Sequence, residues 1–206
     1  MMIVVHSLAY SRAVRVVWLL EEIGTPYDLR TYDRTEAYRA PETLKALHPL
    51  GKSPVIEDDG LVLAESSAVL RYVNEHYAGG RFAPEPGTQD HARHDEWLDG
   101  AEGSFARSII ASFWAARSGA EMEARMRDEL ARNMAYLNAV LSERRYLMGD
   151  GLTLADIQFA YLLAMAEKTG ALAPYADVLT YWHRLSREPA LRRALAKTGP
   201  MMPERL

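Results

Sequence analysis

The sequence predicts a small α/β domain with a mixed sheet, followed by an all-helical domain. Short apolar segments typical of strands alternate with helical patterns over roughly the first third of the chain, and only helical patterns follow. Between the two parts, residues 78–88 contain three Gly and two Pro, a composition typical of a linker. We therefore predict an α/β domain at 1–77, a linker at 78–88 and an all-α domain at 89–206.

The first part begins with a strand–helix–strand pattern. Residues 2–6 are rich in β-branched side chains and predict a buried strand. A helical pattern runs from Ser11 to Gly24, where glycine favours a helix end, and the alternating segment 27–32 predicts a second strand. Pro41 suits the first position of a short helix. A strand–helix–strand unit favours a parallel pair of strands.

Two further strands and several helices complete the prediction. The apolar segments 53–57 and 61–64 flank the Asp-Asp-Gly turn at 58–60, which indicates an antiparallel hairpin and makes the four-stranded sheet mixed. A helix follows at 66–76. The helices predicted beyond the linker lie near 89–117, 121–143, 153–168, 176–186 and 189–196.

Composition excludes several classes of function. The 206 residues carry a net charge of −4, which argues against a nucleic-acid-binding protein. No apolar segment has the roughly 18 residues of a membrane span, and residues 1–5 lack the basic start of a signal peptide, so we expect a cytoplasmic protein without a membrane partner. The chain has no Cys, so any thiol chemistry must come from a bound small molecule. We expect no metal, because His91 and His94 lack a third ligand.

Three segments place polar groups where ligands bind in open α/β folds. Ser11 begins the first helix, where its hydroxyl either caps the helix or also donates to an anion. Pro54 begins a strand, either as an edge-strand trans proline or with a cis bond that turns the backbone of Ser53 toward a peptide-like ligand. Glu65 and Ser66 begin the third helix, either as an ordinary cap or as partners for an ammonium and a carboxylate group.

A fourth segment has a structural interpretation. Thr153 and Asp156 have the spacing of a capping box, and the flanking Leu152 and Ile157 are placed to form a hydrophobic staple. We predict that this segment starts a buried helix.

The four segments together, in this order and at these distances, resemble the cytosolic glutathione transferases, and the similarity covers nearly the whole chain. The most specific part is the segment from Pro49 to Val73, PLGKSPVIEDDGLVLAESSAVLRYV, and the capping box is the second motif. The N-terminal stretch HSLAYSRAVRVVWLLEE resembles the bacterial, serine-using members. The resemblance implies a thioredoxin-like N-terminal domain, an all-α C-terminal domain and a homodimer.

The resemblance also implies a set of glutathione-binding residues. Pro54 would be cis, with the main chain of Ser53 paired to the cysteinyl part of glutathione. Glu65 and Ser66 would hold the γ-glutamyl end, and Lys52 could reach the glycine carboxylate or simply be a solvated charge.

The residue that touches the sulfur is implied to be Ser11, because it lies four positions before an Arg of the first helix, Arg15. Tyr10 is the alternative, since other classes use a tyrosine, although those tyrosines lie nearer the end of the first strand. A hydroxyl donor and a helix start both favour the thiolate, which is the nucleophile. We expect glutathione to be added to small hydrophobic electrophiles, a detoxification reaction.

Other activities of the family remain open: a glutathione-dependent isomerase, a peroxidase, or a non-catalytic protein that binds glutathione or other ligands. The side chains considered for the electrophile pocket lie at helical spacing, which also suits a helix core. They are Phe105, Ile109, Phe113 and Trp114.

Overall fold

The computed structural model describes residues 2–205. They form two compact units, one reaching to Arg81 and including Pro189–Met201, the other formed by Phe82–Glu188 with the residues after Met201. The strands are β1 Ile3–Leu8, β2 Tyr27–Tyr32, β3 Val55–Asp58 and β4 Leu61–Ala64. The helices are α1 Ala13–Ile23, α2 Glu42–Lys45, α3 Ser66–Ala78, α4 Gln89–Gly100, α5 Ala106–Ser118, α6 Ala124–Leu141, α7 Leu154–Lys168, α8 Ala176–Leu185 and α9 Pro189–Thr198.

The first unit contains a single four-stranded mixed sheet in the order β2-β1-β3-β4. β1 and β2 are parallel, whereas β3 is antiparallel to both β1 and β4. Asp59 and Gly60 have φ angles of 44° and 83°, the positive pair that a tight two-residue hairpin requires. The predicted mixed sheet and hairpin are therefore confirmed, and the arrangement is thioredoxin-like.

Strand boundaries differ slightly from the prediction where a strand meets a loop. β2 and β4 have the predicted bounds, but β1 extends to Leu8 and β3 begins at Val55 instead of residue 53. The later start of β3 has a physical cause, because Pro54 has no N–H to donate to a neighbouring strand.

The last helix, α9, belongs to the first unit, although the sequence placed residues 189–196 with the all-α domain. α9 packs against α1. The Glu21 carboxylate of α1 accepts hydrogen bonds from Arg193 Nε at 2.8 Å and from Lys197 Nζ at 2.5 Å. Tyr27 of β2 also donates to this carboxylate, at 2.7 Å. The pattern of residues along the sequence cannot predict this packing, because the side chains that contact each other lie 172 and 176 residues apart.

The Glu21 cluster makes a pH-dependent contribution to stability. Burial alone would raise the pKa of Glu21, but the hydrogen bonds from Lys197, Tyr27 and Arg193 lower it from 4.5 to about 2. The contribution is therefore complete above pH 4.5 and is lost as the pH falls toward 2. We expect Glu21→Gln to lower the free energy of unfolding by about 1–3 kcal/mol at pH 7, because half-exposed partners are partly screened.

The measurement is urea unfolding of both proteins at several pH values. The difference between wild type and Glu21→Gln should shrink below pH 4.5. Glu75→Gln, at an exposed position of α3, serves as the control and should show no such convergence. A difference that stays constant from pH 7 to pH 3 would contradict the assignment to Glu21.

In the second unit, the single helix predicted at 89–117 is divided by a π-helical turn, Ala101–Phe105. Such a turn takes in one residue more than an α-helical turn, and here the Ala106 N–H donates to the Ala101 carbonyl, five residues earlier. The side chain of Asn133 in α6 donates to the Ser104 carbonyl within this turn, at 3.0 Å. Helical periodicity does not resolve a single inserted residue, which explains why the prediction missed the turn.

The predicted capping box is present at the start of α7. Thr153 N–H donates to Asp156 Oδ2 at 2.8 Å, and the side chain of Thr153 receives the reciprocal backbone bond. α7 is buried over nearly its whole length, as its apolar pattern indicates. No helix within residues 2–205 is both long enough and apolar enough to cross a bilayer.

Candidate functional site

The first part of the candidate site is the turn between β1 and α1. Tyr10 has a φ of 53°, and the backbone then enters the helix at Arg12, which is the N-cap residue. The helix is assigned one residue later than predicted, with Arg12 rather than Ser11 as its N-cap. Ser11 Oγ nevertheless accepts a hydrogen bond from the Ala13 N–H at 3.3 Å, so its hydroxyl still faces the first turn of α1.

A cationic side chain holds this turn in place. Arg34, in the loop after β2, donates from Nε to the Ala9 carbonyl at 2.9 Å and from Nη2 to the Tyr10 carbonyl at 3.1 Å. Its Nη1 donates to the Tyr38 carbonyl at 3.1 Å. The guanidinium thus fixes both residues before Ser11. The sequence does not predict this role of Arg34, because the neighbouring residues form no recognisable motif.

The second part is the segment before β3. The Ser53–Pro54 bond is cis, as the resemblance implied, and Pro54 is buried. The Ser53 hydroxyl donates to the His6 carbonyl at 2.9 Å and accepts the Leu8 N–H at 3.1 Å. Ser11 donates to the same hydroxyl at 3.2 Å. The structure therefore brings together two serines that lie 42 residues apart in sequence.

The third part is the start of α3. Glu65 is the N-cap residue with a φ of 71° and an exposed side chain, whereas Ser66 is the buried first residue of the helix. The fully buried Arg15 of α1 donates from Nη1 to Ser66 Oγ at 3.4 Å. A permanent positive charge therefore lies behind the N-terminus of α3. In the sequence analysis, Arg15 served only to identify Ser11, which lies four positions before it. Its place within the apolar run AVRVVWLL was the available signal of a buried role.

The remaining predicted glutathione-binding residue, Lys52, is exposed beside Ser53. All of the predicted glutathione-binding residues lie in the first unit, at the ends of its strands and the starts of its helices. These positions carry hydroxyl groups, helix N-termini and one buried cation, and each of these groups favours a bound anion.

The side chains considered for the electrophile pocket are in the second unit. Phe105, Ile109 and Phe113 are each at least 95% buried, and Phe105 packs edge-on against Phe159 with ring centroids 5.0 Å apart. Trp114 is 47% exposed and meets the Phe113 ring edge-on. The packing therefore places three of the four in the helical core, and Trp114 alone among them offers a large exposed face.

Within residues 2–205, no three or more side chains of His, Asp or Glu are arranged to hold a metal ion. His91 and His94 of α4 both lie near the carboxylate of Asp95, at 3.5 and 3.7 Å.

The thioredoxin-like sheet, the cis proline before β3 and the separate all-helical unit define a two-unit protein built on a thioredoxin-like fold. Comparison with known proteins specifies it further. Residues 2–75 match the family described as glutathione S-transferase, N-terminal domain, and residues 105–198 match the corresponding C-terminal domain.

Individual relatives agree with these matches. Glutathione S-transferase 3 of Schizosaccharomyces pombe is 31% identical over 95% of this chain and 88% of its own length. Glutathione S-transferase 3 of Zea mays is 28% identical over 89% and 88%. The crystal structure of a glutathione S-transferase from Actinobacillus pleuropneumoniae is 30% identical, covers 98% of each chain and superposes with a TM-score of 0.85. The chain belongs to the glutathione S-transferase family. It is a glutathione transferase, and glutathione is its co-substrate.

Proposed function

We propose that the first unit binds glutathione across its three helix and strand junctions and that Ser11 stabilises the bound thiolate. The observation that carries this proposal is the 3.2 Å contact between the Ser11 and Ser53 hydroxyls. This contact joins the start of α1 to the cis-proline segment, so the sulfur of a cysteinyl group paired with the Ser53 main chain would lie near Ser11. We assign the protein to the serine-using, bacterial-type members on the same ground.

The γ-glutamyl end of glutathione carries a carboxylate and an ammonium group on one carbon. Because Arg15 can only donate hydrogen bonds, Ser66 Oγ accepts from it, and the single proton of Ser66 can be donated to a carboxylate. The exposed carboxylate of Glu65 lies beside it and suits the ammonium group. The exposed Lys52 is our candidate for the glycine carboxylate.

The chemistry follows from the thiol. A free thiol has a pKa of about 8.5, so little thiolate exists at neutral pH. A hydrogen bond from Ser11 to the charged sulfur lowers that pKa, since charge-assisted bonds are about twice as strong as neutral ones. The start of α1 adds a favourable dipole. The thiolate then attacks an electrophilic carbon of a small hydrophobic substrate.

We also infer a homodimer and a detoxifying role in the cytoplasm. Large apolar side chains of the first unit are exposed, including Leu50, Leu61 and Val62, and the last two lie on the edge strand β4. Exposed apolar side chains on an edge strand favour contact with another chain. A second copy of the chain is the partner that we propose for them.

Binding is tested by calorimetric titration with glutathione. We expect binding heat and a raised melting temperature for the wild type. Ser66→Ala should weaken glutathione binding by about 10- to 100-fold, the value of one hydrogen bond to a charged group. Ser67→Ala, the same change at the next residue, should bind like the wild type. An absence of heat and of any melting shift in the wild type would contradict the proposal, as would equal losses in both variants.

A further inference from the structure

The side chain of Ser53 has all of its hydrogen-bonding capacity in use. A serine hydroxyl has one proton to donate and two lone pairs to accept. The proton is donated to the His6 carbonyl at 2.9 Å. The lone pairs accept the Leu8 N–H at 3.1 Å and the Ser11 hydroxyl at 3.2 Å. Ser53 is therefore an acceptor, not a donor, in its contact with Ser11.

This direction fixes the state of the Ser11 hydroxyl. Its proton points toward Ser53, and its oxygen accepts one hydrogen bond, from the Ala13 N–H at 3.3 Å. A hydroxyl oxygen has two lone pairs, so one acceptor position of Ser11 remains. For Ser11 to donate to a thiolate, its proton must turn away from Ser53.

That turn has a consequence for Ser53. If only the Ser11 proton moved, two hydroxyl oxygens 3.2 Å apart would face each other with lone pairs and no proton between them. This unfavourable arrangement is relieved when the Ser53 proton turns from the His6 carbonyl to the remaining acceptor position of Ser11. Both hydroxyl protons then rotate in the same sense, and no covalent bond forms or breaks.

We propose that Ser53 is a positioning residue whose hydroxyl donates to Ser11 when the glutathione thiolate is bound, so that the two serines act as a relay. The inference rests on the proposed function, in which Ser11 touches the sulfur. A hydroxyl that accepts a hydrogen bond donates a stronger one, because the bonds polarise each other. Ser53 therefore lowers the thiol pKa without touching the sulfur through its side chain.

The side chain and the main chain of Ser53 have different roles in this proposal. The main chain precedes the cis proline and is our proposed partner of the cysteinyl group, and a side-chain substitution leaves its N–H and C=O in place. The matched variants are Ser53→Thr and Ser53→Val, which have the same branched shape and differ by a hydroxyl in place of a methyl group. Ser53→Ala removes the hydroxyl with the smallest change in volume.

The measurement is the pKa of the bound glutathione thiol, taken from the thiolate absorbance of the binary complex and from the pH profile of kcat/KM. Ser53→Val and Ser53→Ala should raise this pKa by about 0.5, which means roughly threefold less thiolate below the pKa. Ser53→Thr should retain the lower value. A purely structural role for Ser53 would lower the melting temperature, through the unpaired Leu8 N–H, without changing the thiol pKa.

The outcomes distinguish the relay from the proposed function. If Ser11→Ala raises the thiol pKa but Ser53→Val and Ser53→Ala do not, the relay is wrong and the role of Ser11 stands. An equal rise in Ser53→Thr and Ser53→Val would also overturn the relay, because the hydroxyl would then be irrelevant. If Ser11→Ala leaves the thiol pKa unchanged, the proposed function itself fails.

Discussion

Replacing Ser11 with alanine should reduce kcat/KM for glutathione addition by on the order of 10²-fold, the loss typical of one donor to a developing or bound anion. The substitution removes the hydroxyl proton that we propose for the thiolate, while the start of α1 and the cis-proline segment stay in place. The pKa of the bound thiol should therefore rise toward the value of about 8.5 found for a free thiol.

The measurement combines steady-state kinetics over pH with the thiolate absorbance of the binary complex. The part of the loss in kcat/KM that comes from the raised thiol pKa should be greatest near neutral pH. It should become smaller above the raised pKa, because glutathione bound to the variant is then also ionised. Ser11 also accepts the Ala13 N–H, so melting temperatures are needed to show that α1 remains intact. Glutathione binding itself should change less than turnover, since the substitution leaves Glu65 and Ser66, our proposed partners of the γ-glutamyl end, in place.

Tyr10 provides the matched comparison. Tyr10→Phe removes a hydroxyl one residue away, and its backbone carbonyl keeps its bond from Arg34. We expect the thiol pKa of this variant to stay at the wild-type value. The opposite pattern, with a raised thiol pKa in Tyr10→Phe and none in Ser11→Ala, would transfer the role from Ser11 to Tyr10.

Replacing Asp156 with alanine should lower the free energy of unfolding by about 3–5 kcal/mol, the range for breaking a buried polar network. Asp156 is fully buried in α7. Its Oδ1 accepts the Leu147 N–H at 2.9 Å and the Tyr181 hydroxyl at 2.7 Å. Its Oδ2 accepts the Thr153 N–H and hydroxyl, both at 2.8 Å. Alanine would leave four donors without their acceptor, and two of them, the Leu147 N–H and the Tyr181 hydroxyl, make buried hydrogen bonds to Asp156.

Urea unfolding followed by circular dichroism measures the effect. Asp128→Ala, an exposed carboxylate in α6, is the control and should change the free energy of unfolding by less than about 0.5 kcal/mol. A loss in Asp156→Ala no larger than that of the control would show that water or a rearranged loop satisfies the four donors.

The sequence was most informative where local chemistry decides the structure. The alternating pattern of Tyr27–Tyr32 and the Asp-Asp-Gly turn before β4 depend on neighbouring residues, and both predictions were confirmed. The capping box at Thr153 and Asp156 is similarly local, and it was also confirmed. For the turn and the capping box the deciding contacts lie within four residues of one another, whereas β2 shows a local alternating pattern and pairs with the more distant β1.

Features that depend on distant partners were not predictable from pattern. The π-helical turn Ala101–Phe105 is paired with Asn133 from another helix, and periodicity carries no record of that contact. The cis bond at Pro54 was implied by the family resemblance, whereas residue statistics alone favour trans. The convergence of Ser11 and Ser53 depends on how β1 and β3 pair, which fixes the two loops at one end of the sheet.

The position of α9 has a consequence for how the protein is made. A ribosome produces the chain in order and releases domains to fold as they emerge. The four strands emerge early, but the helix that packs against α1 is translated only after all of Phe82–Glu188. The thioredoxin-like unit therefore stays incomplete until Pro189–Met201 has been translated, although most of this unit is synthesised first. A messenger truncated before codon 189 would leave this unit without α9 for the whole lifetime of the product.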